Sequence, residues 1–255
     1  QRRGGRGISG VARKDEDFVE DMFITSTHDY VLFFTNRGKM YRMKGYEIPE
    51  TGRAARGSHV VNLLPIEKDE KISAMIRVDE VENDSYLVMV TRNGTIKRTA
   101  LSAYRNVRKG GIIAINLEEG DELAWVRNTT GEDDLIIATR QGVAIRFAES
   151  DVRPMGRTAT GVRAIRLDEG DEVIAMATCE EGGYLLTVTE NGQGRRTALG
   201  EYRTQNRGGR GVAGMTQKDN DFTEELFVGS THDYMLFMTD KGRVYRLKGY
   251  QVAEG

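Results

Sequence analysis

The sequence predicts an all-β protein, a propeller-like set of about five four-stranded blades forming one domain over residues 1–255, and three observations lead there. An apolar run ending in threonine occurs five times: Val31-Leu-Phe-Phe-Thr35, Leu87-Val-Met-Val-Thr91, Leu135-Ile-Ile-Ala-Thr139, Leu185-Leu-Thr-Val-Thr189 and Met235-Leu-Phe-Met-Thr239. A turn glycine follows each run, at Gly38, Gly94, Gly142, Gly192 and Gly242, and an arginine stands four residues past each glycine, at Arg42, Arg98, Arg146, Arg196 and Arg246. Thirty glycines stand against only three prolines, a balance that suits many tight turns between short strands.

The turn glycines lie 56, 48, 50 and 50 residues apart, which sets repeats of approximately 1–52, 53–104, 105–152, 153–202 and 203–255. Each repeat reads as four strands. The first follows a landmark glycine (Gly7, Gly57, Gly110, Gly161 or Gly211), the second an acidic turn, the third ends in threonine, and the fourth lies beyond the hairpin glycine. The threonine-ending strands are apolar on both faces, as strands held between neighbouring blades are. Lys39-Met-Tyr-Arg42 and Thr95-Ile-Lys-Arg98 alternate polar with apolar, as outer edge strands do. In a propeller whose first strand lies near the axis, the acidic turns at Glu67 to Glu70, Glu118 to Glu122, Asp168 to Glu172 and Asp219 to Glu225 fall inward and the glycine hairpins outward.

Composition bounds the class. The chain is 38% hydrophobic and 30% charged, with no apolar run long enough for a membrane helix and no secretory signal at its start, so a cytoplasmic location is expected. A single cysteine, Cys179, excludes an internal disulfide framework. The net charge of −2 argues against a chain dominated by nucleic-acid binding, but acids and bases collect in different recurring segments, so a neutral total can hide a polarised surface.

The bases point to phosphate. Gln1-Arg-Arg-Gly-Gly-Arg-Gly7 has a near copy at Gln205-Asn-Arg-Gly-Gly-Arg-Gly211. Glycines that turn the backbone while guanidinium groups project to one side suit phosphate binding, and each copy runs into a strand-like segment where a flexible linker would continue in low complexity. The candidate DNA-binding residues are Gln1, Arg2, Arg3, Gly4, Gly5, Arg6 and Gly7 of the first copy with Arg207 and Arg210 of the second. To these the hairpins add Arg37, Lys39, Arg42, Lys44, Lys97, Arg98, Arg146, Arg195, Arg196, Lys241, Arg243, Arg246 and Lys248, and the inter-repeat loops Arg56, Arg108, Lys109 and Arg157. A basic cluster at every blade makes many phosphate contacts while reading few bases. Exposed edge strands also carry lysine and arginine to prevent aggregation, but that need does not fix arginine at one offset in five repeats.

At these residues a resemblance appears. Gln1 to Gly7 resembles the GyrA box, and the chain resembles the DNA gyrase A C-terminal domain through Ser26-Thr-His-Asp29, Phe33-Phe-Thr-Asn-Arg-Gly38, Val61-Asn-Leu-Leu64, Met155-Gly-Arg-Thr-Ala-Thr-Gly-Val162, Thr189-Glu-Asn-Gly192 and Glu201-Tyr202. The resemblance implies a β-pinwheel in which the strand beyond the hairpin glycine is exchanged onto the neighbouring blade. It implies a non-catalytic module that wraps double-stranded DNA, with the catalytic part of a gyrase-type topoisomerase as partner and a monomer when isolated. Six blades are usual in that family, against five repeats here.

No cofactor or metal is expected. Gly-Gly-Arg-Gly lacks the Gly-Lys-Ser/Thr of a phosphate-binding P-loop, and the acidic turns lack the alternating oxygen ligands of an EF-hand. His28 and His232 stand in repeated Ser-Thr-His-Asp segments and read as turn residues. The second function class is a propeller-type protein scaffold whose arginines serve solubility alone.

Overall fold

The computed structural model describes residues 8–9, 24–52, 55, 57–79, 84–214, 221–238 and 243–254. Its strands in the first half are β1 (Ile8–Ser9), β2 (Tyr30–Thr35), β3 (Lys39–Lys44), β4 (Ile72–Val78), β5 (Tyr86–Thr91), β6 (Thr95–Ala100), β7 (Ile112–Ile113) and β8 (Leu123–Thr129). The second half adds β9 (Asp134–Thr139), β10 (Val143–Ala148), β11 (Val162–Arg163), β12 (Val173–Cys179), β13 (Tyr184–Thr189), β14 (Gly194–Ala198), β15 (Val212–Ala213), β16 (Thr223–Gly229), β17 (Tyr234–Met238) and β18 (Arg243–Lys248). Short 3₁₀ turns are the only helices among the described residues.

Threonine and glycine close each hairpin. The Gly38 N–H donates to the Thr35 carbonyl, and the Lys39 N–H reaches the Thr35 hydroxyl oxygen. The same pair of bonds holds Gly94 and Thr95 on Thr91, Gly142 and Val143 on Thr139, and Gly192 and Gln193 on Thr189. The glycine takes a left-handed φ, +74° at Gly38 and +77° at Gly192, and is followed by the outgoing strand, the chemistry of a three-residue hairpin loop. The fifth hairpin's Thr239 and Gly242 lie outside the described residues.

Five antiparallel sheets result, ordered β4-β2-β3-β7, β8-β5-β6-β11, β12-β9-β10-β15, β16-β13-β14 and β17-β18-β1. This is the expected all-β, propeller-like architecture, with one difference in its wiring. The hairpin stays intact, and two other strands are lent to it. The strand following each acidic turn pairs with the preceding hairpin, as β8 does with β5. The two-residue strand following the landmark glycine of the third, fourth and fifth repeats reaches back past one hairpin, so that β7 caps β3, β11 caps β6 and β15 caps β10. The strand expected after Gly57 is instead a 3₁₀ turn at Val60–Asn62, and β1 pairs with β18. The radial order is also the reverse of the expectation. The landmark strand lies at the outer edge, while β4, β8, β12 and β16 neighbour one another at the centre. A strand of two residues has too few ladder bonds for a crowded axis and serves as a cover over a hairpin edge that would otherwise be open.

The core lies between blades, which is why the threonine-ending strands are apolar on both faces. One cluster packs Leu32, Phe34 and Met40 of the first sheet against Leu87, Met89 and Val126 of the second. The next joins Val88, Val90 and Ile96 to Leu135, Ile137 and Phe147. A third joins Ile136 and Ala138 to Leu185, Leu199 and Leu226.

The hairpin glycines offer an internal control on this wiring. A Cβ on Gly38 would stand 2.5 Å from the Ile115 carbonyl oxygen in the segment after β7, whereas a Cβ on Gly192 would meet nothing within 4 Å. Gly192→Ala carries only the left-handed backbone cost of about 1–2 kcal/mol. Gly38→Ala adds a clash with backbone, and urea unfolding should show it more destabilising by at least about 1 kcal/mol. Equal losses would mean that the segment after β7 does not cover this turn.

Candidate nucleic-acid interface

The arginine four residues past the hairpin glycine has a structural partner at a fixed distance. Arg42, Arg98, Arg196 and Arg246 lie over the rings of Tyr30, Tyr86, Tyr184 and Tyr234, with guanidinium carbons 4.6, 4.7, 4.9 and 4.6 Å from the centroids. In the third blade Asp134 replaces the tyrosine, and Arg146 binds it through Nε and Nη2 at 3.0 and 2.7 Å. The tyrosine at the head of four of the five threonine-ending strands was the signal available in the sequence, since it precedes each arginine by the same interval.

These arginines also fasten one blade to the next. Arg42 Nη1 donates to the Arg105 carbonyl at 2.7 Å, Arg98 Nη1 to Gly131 at 3.0 Å, and Arg146 Nη1 to Leu199 at 3.0 Å. Arg98 is 7% exposed and faces Glu149, which is fully buried and accepts from the Thr129 hydroxyl and the Gly131 N–H. Arg196, 9% exposed, pairs with Glu254 at 2.7 Å. Lys97 is fully buried. Lys97, Arg98 and Arg196, expected on a phosphate-binding rim, thus face inward: ring faces and carboxylates hold the charge of the two arginines within the protein, and backbone carbonyls hold the Lys97 amine.

The hairpin turns do not separate charge radially either. Arg37 and Lys39 pair with Glu67 at 2.6 and 2.8 Å. Arg92 reaches Glu122 at 3.3 Å and Glu172 at 3.1 Å, and Arg140 reaches Glu172 at 3.7 Å and Glu190 at 2.6 Å. Each turn therefore meets the acidic turn of its own blade or the next, and the charges interlock across blade boundaries. Exposed pairs of this kind contribute little individually, but they neutralise this face.

The outer edge is different. The segments leading into β7, β11 and β15 are joined side by side. Arg157 Nη1 donates to the Ile113 carbonyl and Arg207 Nη1 to that of Arg163, while Arg207 Nε donates to Asp151 at 3.1 Å. Backbone bonds add Gly208 N to Ala164 at 2.7 Å, Arg166 N to Gly209 at 2.8 Å and Asn116 N to Ala159 at 3.3 Å. Landmark glycines lie directly on the hairpin beneath. A Cβ would stand 2.5 Å from the Ile96 carbonyl at Gly161 and 2.6 Å from Ala144 at Gly211, and both have positive φ. In the third repeat the glycine in this role is Gly111, not Gly110; its φ is +75° and it rests on the Tyr41 ring.

This arrangement leaves a strip in which Arg105, Arg108, Lys109, Arg153, Arg166, Arg203 and Arg210 are exposed. Arg108 and Arg157 border a groove of about 600 Å³ with Arg42 and Thr158. Arg157 and Arg207 are half-buried staples of the strip, and Arg195 is half-buried beside β15 with its Nη2 on the Gly214 carbonyl. In the outer blades Lys44 and Lys248 lie 3.6 Å over Tyr30 and Tyr234 and donate to the carbonyls of His28 and His232. Arg243 and Arg246 are exposed. Gln1 to Gly7, Arg56 and Lys241 lie outside the described residues. The Ser-Thr-His-Asp segments are turns, with Asp29 and Asp233 accepting from the N–H of Ser26 and Ser230. Among the described residues no cluster of three metal-ligating side chains occurs.

Lys97 ties the strip to the blades. Its Nζ donates to the carbonyls of Ala114 and Arg157, and the Tyr104 hydroxyl donates to Ala114 as well, at 3.0 Å. Burial, with a smaller push from the Arg157 charge, lowers Lys97 from 10.5 to about 7. Between those values the unfolded chain binds a proton that the folded chain releases, so this group's contribution to stability rises with pH across that window and is least below pH 7. Urea unfolding from pH 7 to 10 should show the parent chain gaining on Lys97→Met as pH rises. Parallel stability curves would show Lys97 to be charged throughout.

The comparisons agree with this architecture. The family model described as the DNA gyrase C-terminal domain, beta-propeller, matches residues 1–26, 29–79, 85–130, 133–180, 183–228 and 233–255. The DNA gyrase A protein of Clostridium acetobutylicum is 57% identical over 162 residues, 64% of this chain and 20% of that protein, and the one from Halalkalibacterium halodurans is 57% identical over the same share of this chain and 19% of its own length. The chain thus spans about a fifth of these relatives. Among solved structures, a DNA gyrase A C-terminal domain superposes with a TM-score of 0.87 at 26% identity, covering 100% of this chain and 84% of that one. The C-terminal domain of DNA topoisomerase IV gives 0.79 at 29% identity, over 90% of this chain and 72% of its own. With all five sheets inside the matched segments, the chain belongs to the DNA gyrase C-terminal, β-propeller domain family.

Proposed function

We propose that this chain is a non-catalytic module that binds, bends and wraps duplex DNA along its outer edge, working beside the catalytic part of a gyrase-type topoisomerase in the cytoplasm. The observation that carries the reading is the strip of joined segments with Arg105, Arg108, Lys109, Arg153, Arg203 and Arg210 exposed along it. It follows the outer edges of successive blades, so phosphates of a curved duplex meet one basic cluster after another. Arginine and lysine on glycine-rich backbone grip phosphates without reading base edges, which makes binding tolerant of sequence. The opposite distribution, acids interlocked with the hairpin turns, keeps the rest of the surface neutral and directs DNA to the edge.

Duplex binding measured over a salt series tests the assignment. Affinity should fall linearly on logarithmic axes, and Arg108→Ala or Arg210→Ala should each flatten the slope by about one. Arg98→Ala should leave the slope unchanged and instead cost roughly 3–5 kcal/mol of stability, because it strands the buried Glu149. Affinity independent of salt, or absent, supports the protein-scaffold class instead. Wrapping is read separately: relaxed circles resealed in the presence of the protein should carry a signed change in linking number. Replacing Arg207 to Gly211 by alanines should reduce it at matched occupancy; an unchanged value refutes the role of this segment in wrapping.

A further inference from the structure

In the second, third and fourth blades the arginine four residues past the hairpin glycine meets a carboxylate. Arg98 faces Glu149, Arg146 binds Asp134 and Arg196 binds Glu254. Arg42 of the first blade does not. Its partners among the described residues are the Tyr30 ring and the Arg105 carbonyl, and the 3₁₀ turn that opens on Glu149 after β10 opens on Leu101 after β6. Arg42 is half-buried and lines the groove of about 600 Å³ between the segments that lead into β7 and β11. Arg105 and Arg108 line it from the first segment and Arg157 and Thr158 from the second, and among the described residues no carboxylate borders it. Arg157 is held by its Nη1 on the Ile113 carbonyl, while Lys97 fixes the Arg157 carbonyl from beneath. Four arginines thus share one concavity. Gathering like charges without acids costs self-repulsion, and the pairing in the other blades shows that the architecture does not require it.

We propose that this groove is a binding site for a short chain of linked phosphates, the chemistry shared by inorganic triphosphate and a nucleoside triphosphate. Its volume is that of a small-molecule site, and it is concave, whereas a duplex presents singly charged phosphates along a convex backbone. Planar guanidinium groups take phosphate oxygens in pairs, so arginines on both sides of the groove can hold adjoining phosphates together. The exposed Thr158 hydroxyl adds a donor to the set. Arg42 and Arg157 are already anchored on carbonyls, and therefore lose little side-chain freedom when the ligand arrives. Ile113, 45% exposed on the groove wall, offers a nucleoside an apolar surface that inorganic triphosphate leaves uncovered. The site does not depend on the DNA-binding reading; with that reading, an occupied groove covers Arg108 and weakens duplex binding, which makes the site regulatory.

Calorimetric titration of the chain with sodium triphosphate and with adenosine triphosphate, without DNA or divalent metal, tests the site by itself. Sodium triphosphate should bind one to one and at least about tenfold tighter than orthophosphate, because each further phosphate adds charge-assisted bonds. Arg108→Glu should weaken it by at least about tenfold, whereas Arg210→Glu, the same reversal on the strip outside the groove, should leave it unchanged. Arg42→Gln should also weaken it, and the exposed Arg108 keeps the test open if that variant fails to fold. Equal affinities for the two ligands assign the phosphate chain alone, and tighter binding of adenosine triphosphate that is lost in Ile113→Ser assigns a nucleotide. Equal losses from Arg108→Glu and Arg210→Glu, several equivalent sites, orthophosphate binding as tightly, or no binding would each overturn the proposal.

Discussion

The first three blades depend on the covering of a hairpin edge by a strand that the chain supplies much later. A hairpin alone is marginal in water, and its second strand presents unpaired N–H and C=O groups to solvent. Two residues of β11 suffice on β6, because the glycine just before them lies on the Ile96 carbonyl and lets the backbone settle without a side chain between. A larger residue at Gly161 would hold the strand off its ladder. The repeats are thereby linked beyond their nearest neighbours, and the apolar clusters between blades are closed from outside by the segments that also form the basic strip.

The arginines show how one residue type serves two purposes at different depths. Arg98, over Tyr86 and beside the buried Glu149, has exchanged its water for a ring face, a carbonyl and a carboxylate, and its removal leaves a buried charge unpaired. Arg108 and Arg210, on the strip, keep their water and act through long-range charge. Ring stacking contributes on the order of 1–2 kcal/mol when desolvated, enough to make the aromatic and the arginine recur together. The fixed offset that suggests phosphate binding is thus first a rule of blade construction.

The same depth separates Lys97 from its neighbours. It holds Ala114 and Arg157 together from below, with Tyr104 donating to the same Ala114 carbonyl and pushed by burial up to about 12. In the fourth blade Arg195 and Tyr202 hold Gly214 in the same way. A lysine or arginine there is an anchor between two covering segments, one of which carries the exposed bases.

The sequence by itself determined the hairpins and the all-β class, while the strand expected after Gly57 is a 3₁₀ turn at Val60–Asn62. Threonine and glycine three residues apart encode a hairpin through local bonds, and apolar runs on both faces encode strands held between sheets; both are short-range physics. The turns built on Asp29 and Asp233 were legible for the same reason. Which strand pairs with which was decided only in three dimensions. The reach of β7 back to β3 and the central place of β4, β8 and β12 depend on partners far away in sequence, and no local pattern records them. Tertiary structure also sorted the bases, drawing Lys97, Arg98 and Arg196 inward and leaving Arg105, Arg108 and Arg210 at the edge. A charge's depth depends on the ring, carbonyl or carboxylate that the fold brings against it, and Glu149 reaches Arg98 only once two blades have packed.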